Sequence, residues 1–283
     1  VDRSRDNPES PRAGAQAGRT KQAPALPAEL AGILSMRHPG MVLRVMVLDA
    51  ELAERLAQVI SEQRLRLRLE EFGLKPMRKL LLIGTPGTSK TMRAAALAGE
   101  LGLPLFTIQL AGLILRFLGE TAAKLRLVFE GLAQQRGVYF FDEFDALGAE
   151  RGDRQDVGEI RRVLNSFLQF LEQNSSASLV LAATNHGALL DRGLFCRFDS
   201  VLFCAIPAGA IAAKVIMARR GFLDCSAVDW QEATAHGSGL SHAELVLARE
   251  QAAKQTVLAN RAMVHQRDLE EVLKQMRSRS VRG

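Results

Sequence analysis

The chain has 283 residues, 47% of them hydrophobic and 24% charged, the balance of a soluble globule with one main core and a satellite rather than of a disordered chain. No apolar run approaches the roughly 18 residues that span a membrane, and the first residues lack the apolar stretch of a secretory leader, so a cytoplasmic address with no membrane partner is expected. Its 37 basic residues outnumber 31 acidic ones, but the whole excess lies in residues 1–24 and 274–283, and the neutral remainder argues against a basic cradle for nucleic acid.

Residues 1–24 carry Val1 as their one large aliphatic, too little apolar surface to offset the entropy of ordering, and are read as a disordered tail. A helical arm is expected over 25–71: Pro27 suits a first turn, Asp49 a helix N-cap, and Leu52, Leu56, Val59 and Ile60 share a face. The alternation Arg64-Leu65-Arg66-Leu67-Arg68-Leu69 mimics a strand, yet its surroundings are helical, and it reads as continuing helix with solvated arginines. Beyond Phe72, apolar bursts at 79–83, 105–108, 138–141, 179–183 and 200–203 alternate with helical stretches. That rhythm predicts a five-stranded parallel α/β sheet over 72–206 with helices on both faces. After Pro207 the bursts stop, and helices at 212–219, 230–235, 242–258 and 268–276 predict a small all-α domain over 207–276, then a basic tail over 277–283.

The strongest chemical signal is the strand Leu80-Leu81-Leu82-Ile83 running into Gly84-Thr85-Pro86-Gly87-Thr88-Ser89-Lys90-Thr91 and then an Ala- and Leu-rich helix. Phosphate binding needs converging backbone N–H groups, a helix N-terminus behind them, a lysine for the outer phosphates and a hydroxyl for Mg²⁺. Lys90 and Thr91 stand where those roles fall. Ser89 occupies the second glycine of G-x-x-x-x-G-K-[ST], and a positive φ there costs a non-glycine residue about 1–2 kcal/mol. Fifty residues on, the apolar strand Val138-Tyr139-Phe140-Phe141 ends in Asp142-Glu143. A strand end delivers Asp142 to the sheet edge beside the loop, as a Mg²⁺ ligand, and leaves Glu143 to polarise an attacking water.

These residues resemble the AAA family of AAA+ ATPases, whose hexamers pull on proteins, over about 72–275. The loop is similar to G-P-P-G-T-G-K-T, with Thr85 and Ser89 as departures. The resemblance implies a P-loop NTPase fold with ATP and Mg as cofactors, and extends the nucleotide-binding set to Met92. Ala183-Thr184-Asn185 looks like the sensor strand, implying that Asn185 contacts the γ-phosphate or its water. Leu190-Asp191-Arg192-Gly193-Leu194-Phe195-Cys196-Arg197-Phe198-Asp199 resembles L-D-x-A-L-x-R-R-F-D, whose arginines act across a subunit boundary; with Cys196 in place of the first, Arg197 is the candidate finger. Leu115-Arg116-Phe117-Leu118-Gly119-Glu120-Thr121 is similar to the pore loop, implying that Phe117 grips polypeptide with Arg116 and Leu118 beside it and Gly119 giving freedom. Gly239-Leu240-Ser241-His242-Ala243-Glu244-Leu245 resembles the S-G-A-D stretch at the nucleotide base, with His242 in place of glycine and Ala243 beside it. The all-α domain is then a lid.

Arg151, Arg154, Arg161 and Arg162 fall where the family has a second pore-facing loop; a solvated face is the default, and coupling of Arg161 and Arg162 to a neighbouring nucleotide the alternative. Cys196, Cys204 and Cys225 form no C-x-x-C pair, and His186, His236 and His242 have no metal-ligand spacing. Trp230 and Tyr139 read as packing residues. Three functions stay open: a homo-hexameric unfoldase acting on protein substrates, a nucleic-acid-linked AAA+ ATPase, and a nucleotide switch with weak turnover. A weaker resemblance links the compact plan to bacterial stand-alone AAA ATPases encoded beside a subtilisin-like serine protease, which implies a separate protease partner. No G-x-S-x-G is present.

Overall fold

A computed structural model of the chain describes residues 34–117, 119–147, 154–190, 192–218 and 228–280. The expectations for the N-terminal tail, Pro27, Leu118, Arg151, Asp191 and Cys225 lie outside the described residues. In chain order the elements are β1 (Leu34–Arg37), α1 (Ala50–Arg64), α2 (Arg66–Glu71), β2 (Lys79–Ile83), α3 (Lys90–Leu101), β3 (Leu105–Gln109), α4 (Leu110–Arg116), α5 (Thr121–Gln134) and β4 (Val138–Asp142). There follow α6 (Arg154–Gln173), β5 (Leu179–Thr184), α7 (Arg192–Phe195), β6 (Ser200–Phe203), α8 (Gly209–Ala218), α9 (Trp230–His236), α10 (His242–Leu258) and α11 (Gln266–Ser280).

The described strands form one sheet in the order β1-β3-β4-β5-β2-β6. All five expected strands are present and parallel. The sixth, β1, corrects the reading of 25–71 as wholly helical: it pairs antiparallel with β3, Leu34 opposite Ile108, and covers that strand's open edge. Only Leu34 of its four residues is buried, so no alternation long enough to betray a strand exists. The alternating arginine-leucine stretch is helical, as expected, with a break at Leu65 between α1 and α2. Helix α11 continues through Ser280, into the stretch read as a tail.

Strand alternation sorts the core into two layers. Leu80, Leu82, Val138, Phe140, Leu179, Leu181 and Ala183 face α1 and α3. Leu81, Tyr139, Phe141, Val180 and Ala182 face α4, α5 and α6, where Phe129, Phe141, Phe144 and Phe167 pack with ring centroids 4.9–5.7 Å apart. Helix α1 belongs to the first layer. Asp49 caps it by accepting the Leu52 N–H at 2.8 Å, and Leu52, Leu56, Val59 and Ile60 are buried, each contributing roughly 1.5–3 kcal/mol. Tyr139 is a packing residue, stacked on Phe106 at 4.4 Å with its hydroxyl donating to the Gly131 and Gln135 carbonyls; burial pushes its phenol above the ordinary range.

The C-terminal helices form a third core around Ile216, Leu245, Ala248, Leu269 and Leu273, with Trp230 and Val47 packed against it. Ser241 and Glu244 make a reciprocal capping box that starts α10. This start abuts the loop after β2: the Ala243 N–H donates to the Gly87 carbonyl at 3.2 Å.

Candidate functional site

The parallel order brings the carboxyl ends of β2, β5 and β4 side by side, the edge where open α/β sheets bind ligands. The loop 84–89 leaves β2 and enters α3. Gly84 lies so close to the Cys204 carbonyl and Thr88 Oγ1 that a Cβ would collide with both, and Gly87 (φ +77°) packs under Ser241 of the lid. Thr88 is fully buried, its hydroxyl donating to the Thr85 carbonyl at 2.7 Å. Ser89 has φ +64° and ψ 30° and makes no side-chain cap for α3, so its position is the left-handed one that glycine occupies without cost.

Lys90, 8% exposed, donates to the Gly84 carbonyl at 2.5 Å, the Thr85 carbonyl at 3.1 Å and Asn185 Oδ1 at 2.7 Å. All three ammonium protons are thus placed. Burial lowers its pKa, while Cys204, Asp142 and Asp145 pull the other way. The backbone N–H of Asn185 donates to Asp145 Oδ1 at 3.1 Å, so the loop lysine, the end of β5 and the turn after β4 form one network. Thr91 Oγ1 donates to Asp142 Oδ2 at 3.3 Å. Two hard oxygens on adjacent elements fit a Mg²⁺ that keeps waters and takes its other ligands from phosphates. No cluster of three or more His, Cys, Asp or Glu able to hold a metal occurs among the described residues.

Glu143 is exposed between the fully buried Phe141 and Phe144. Those aromatics anchor the strand end and push both acids outward. Glu143 sits at φ +57°, with its N–H donating to Asp142 Oδ1 at 3.0 Å. Sequence reasoning missed this strained position, because an acid after a strand carries no mark of its backbone angle.

At the start of α10, His242 is half-buried, and its Nδ1 has no hydrogen-bond partner. Burial and then Arg93 lower its pKa, against a backbone hydrogen bond to Val47 and the charge of Asp49. The N-terminal segment before α1, the loop helix α3 and the lid thus meet at one junction. Arg93 and Cys204, both inside it, are 1% and 2% exposed and were missed: a buried arginine one turn into a helix reads in sequence as an ordinary solvated cation.

The remaining predicted residues take no part in the hydrogen bonds just described. Arg197 is exposed and ion-paired with Glu172 of α6, and Cys196 beside it is an exposed free thiol. Phe117 is half-buried against the aromatic layer, with Arg116 and Lys124 over its ring at 5.5 and 5.3 Å. Gly119 (φ +89°) donates its N–H to Glu159 of α6, and Leu115 beside the loop is 83% exposed. Arg161 and Arg162 are exposed two turns into α6.

Comparison with known proteins places this geometry. Residues 80–206 match the family described as the ATPase family associated with various cellular activities (AAA). Over 227 residues, 80% of this chain and 68% of the relative, it is 37% identical to the uncharacterized AAA family ATPase y4kL of Sinorhizobium fredii. It is 32% identical over 79% of its length to the ATP-dependent zinc metalloprotease FtsH 3 of Sphaerobacter thermophilus, and 33% over 74% to FtsH 1 of Methylacidiphilum infernorum. It spans 47% and 34% of those two relatives. With 37% identity to y4kL over 227 aligned residues that span most of both chains, the protein belongs to the AAA family of ATPases, and its reaction is the hydrolysis of ATP.

Proposed function

We propose that the chain works as a homo-hexameric, Mg-dependent protein remodeller that threads polypeptide past Phe117 and hydrolyses ATP at sites shared between neighbouring subunits. The observation that carries this reading is the division of labour in space. Lys90, Thr91, Asp142, Glu143 and Asn185 gather at one sheet edge, while exposed Arg197 pairs with Glu172 and half-exposed Phe117 lies under Arg116 and Lys124, outside that network.

In this reading the loop from Gly84 through Thr85, Pro86, Gly87, Thr88 and Ser89 to Lys90 wraps the phosphates with its backbone N–H groups, those of Gly84 and Thr88 staying with the Thr184 and Thr85 carbonyls, and Lys90 exchanges one or more of its three acceptors for an outer phosphate oxygen. Thr91 and Asp142 hold Mg²⁺, which supplies charge neutralisation of the phosphates when bound. Glu143 orients the attacking water and accepts its proton, and Asn185, pinned by Lys90 and Asp145, lines up the γ-phosphate or that water. Met92, His242 and Ala243 border the nucleoside. Arg197 leaves Glu172 to reach the neighbour's γ-phosphate. Arg116, Phe117, Leu118 and Gly119 contact the substrate. The FtsH relatives are named ATP-dependent zinc metalloproteases; here unfolding is coupled to degradation through a separate protease partner, of the serine type if the likeness to stand-alone AAA ATPases holds.

Two variants test the assignment. Lys90→Ala removes an anion contact and is expected to abolish ATP binding. Glu143→Gln keeps binding and loses about 10²–10⁴ in turnover. Held with ATP, the Glu143→Gln protein should sediment as a hexamer and retain unfolded protein. Turnover by Glu143→Gln at the parent rate, or an ATPase indifferent to unfolded protein, overturns the reading.

A further inference from the structure

We infer that Arg93 is a positioning residue of the phosphate loop: its guanidinium clamps the Thr88–Ser89 peptide and thereby holds a serine in the left-handed geometry that the loop otherwise assigns to glycine. The inference rests on residues 84–91 being the phosphate loop.

Arg93 is among the largest fully buried side chains of the protein. Among the described residues no carboxylate lies within ion-pair distance of it, and its Nε has no hydrogen-bond partner. What it does have is the Thr88 carbonyl, to which its Nη1 donates. A buried cation that spends its hydrogen bond on one backbone carbonyl is costly unless that carbonyl must be held. Burial lowers its pKa most, while Cys204 and Asp49 favour its charge.

The carbonyl in question belongs to the peptide that enters Ser89. In a trans peptide the C=O and N–H point in opposite directions, so drawing the Thr88 oxygen inward toward Arg93 turns the Ser89 N–H outward. That peptide is the one whose orientation changes if Ser89 leaves φ +64°. The serine does not help itself, since its side chain makes no cap hydrogen bond. Thr88 cannot move to compensate, because its hydroxyl is tied to Thr85 and its side chain is fully buried. The two unusual residues are therefore coupled: Ser89 supplies the strain, and Arg93 the restraint that keeps it.

A double-mutant cycle reads the coupling. Binding of Mg-ATP and of Mg-tripolyphosphate is measured by calorimetry on the full chain carrying Arg93→Leu, Ser89→Gly, or both. Arg93→Leu is expected to weaken both probes about tenfold and in equal proportion, because the loop and not the nucleoside is affected. In the Ser89→Gly background the same substitution should cost less than about threefold, since glycine needs no restraint. Arg93→Lys, which keeps one donor, should fall between parent and Arg93→Leu, and it carries the cycle if Arg93→Leu does not fold. Equal losses in the serine and glycine backgrounds overturn the inference, as does a loss confined to ATP, which would put the guanidinium at the nucleoside. Lys90→Ala measured with tripolyphosphate tests the loop reading separately: undiminished binding there removes the ground beneath the inference whatever the cycle shows.

Discussion

The nucleotide edge and the outer rim of this protein are finished to different degrees within one chain. At the edge, Lys90, Asn185, Asp145, Thr91 and Asp142 are linked by hydrogen bonds of 2.5–3.3 Å that span three strands and the loop helix. At the rim, Arg197 and Phe117 are satisfied by makeshift neighbours: a carboxylate on α6 for the one, two overlying cations for the other. The edge is pre-organised: Lys90, Thr91 and Asp142 give up one contact each to phosphate or metal but keep their places in the network when charge develops. If the rim groups act as proposed they must exchange partners, and exposed ion pairs worth about 0–1 kcal/mol are easily exchanged.

The comparison breaks first at Arg197. If it acts on a neighbour's ATP, Arg197→Ala should cut turnover by about 10³–10⁵ with nucleotide affinity within a few-fold of parent. Mixing Arg197→Ala chains with Lys90→Ala chains should restore part of the ATPase, because some boundaries then join an intact loop to an intact finger. No recovery at any ratio, in assemblies whose hexameric mass is confirmed, would falsify the shared site. Glu172→Gln sharpens the same point in the other direction: freed of its ion pair, Arg197 should reach a neighbour more readily, and turnover should hold or rise modestly.

A smaller effect is expected at Phe117. Its ring is flanked by Arg116 and Lys124 and packs against the aromatic layer, so it is held back from the surface within one chain. Phe117→Ala should lower the rate of unfolding of a fluorescent substrate by tenfold or more while ATP affinity moves less than twofold. Because Gly119 is tied to Glu159 at the base of α6, Glu159→Ala should reduce the same rate by a lesser factor. An unfolding rate untouched by Phe117→Ala would leave the ring a packing residue.

The edge was far easier to read in the sequence than the rim or the junction behind it, and the reason is physical. A phosphate loop needs glycines, a lysine and a hydroxyl at fixed offsets, and a buried parallel strand needs an unbroken apolar run, so 79–91, 138–143 and 179–185 declare themselves by residue type alone. Even the strain at Ser89 was foreseeable from the missing glycine. The strand β1 was not, because four residues with one buried side chain fix no period. Arg93 was hidden for another reason: whether an arginine is solvated or buried depends on what packs against its helix, here Asp49, Cys204 and His242, which are distant in sequence. The glutamate at φ +57° was hidden because backbone angle leaves no trace in a side-chain pattern.

The smallest expected effect tests how firmly the lid closes on that junction. His242 starts α10, and the charged groups that face its ring are Arg93 from α3 and Asp49 from the cap of α1. Burial and the Arg93 charge lower its pKa below the ordinary 6.5, so the folded protein holds the ring neutral where an unfolded chain would already have taken a proton. The sign follows: in that window the unfolded state binds more protons, and stability falls as pH drops below about 6.5. The contribution is fully present above that value and is lost as pH falls through the lowered one. Replacing His242 with glutamine removes the titration while keeping a polar side chain. Thermal unfolding of the parent and of His242→Gln should therefore run parallel from pH 8 to 7 and converge or cross between pH 6.5 and 5, the variant losing about 1–3 °C less. Direct titration of the His242 ring by NMR checks the cause, since a midpoint at or above 6.5 would mean that the ring is not held in the junction and that the lid does not close there.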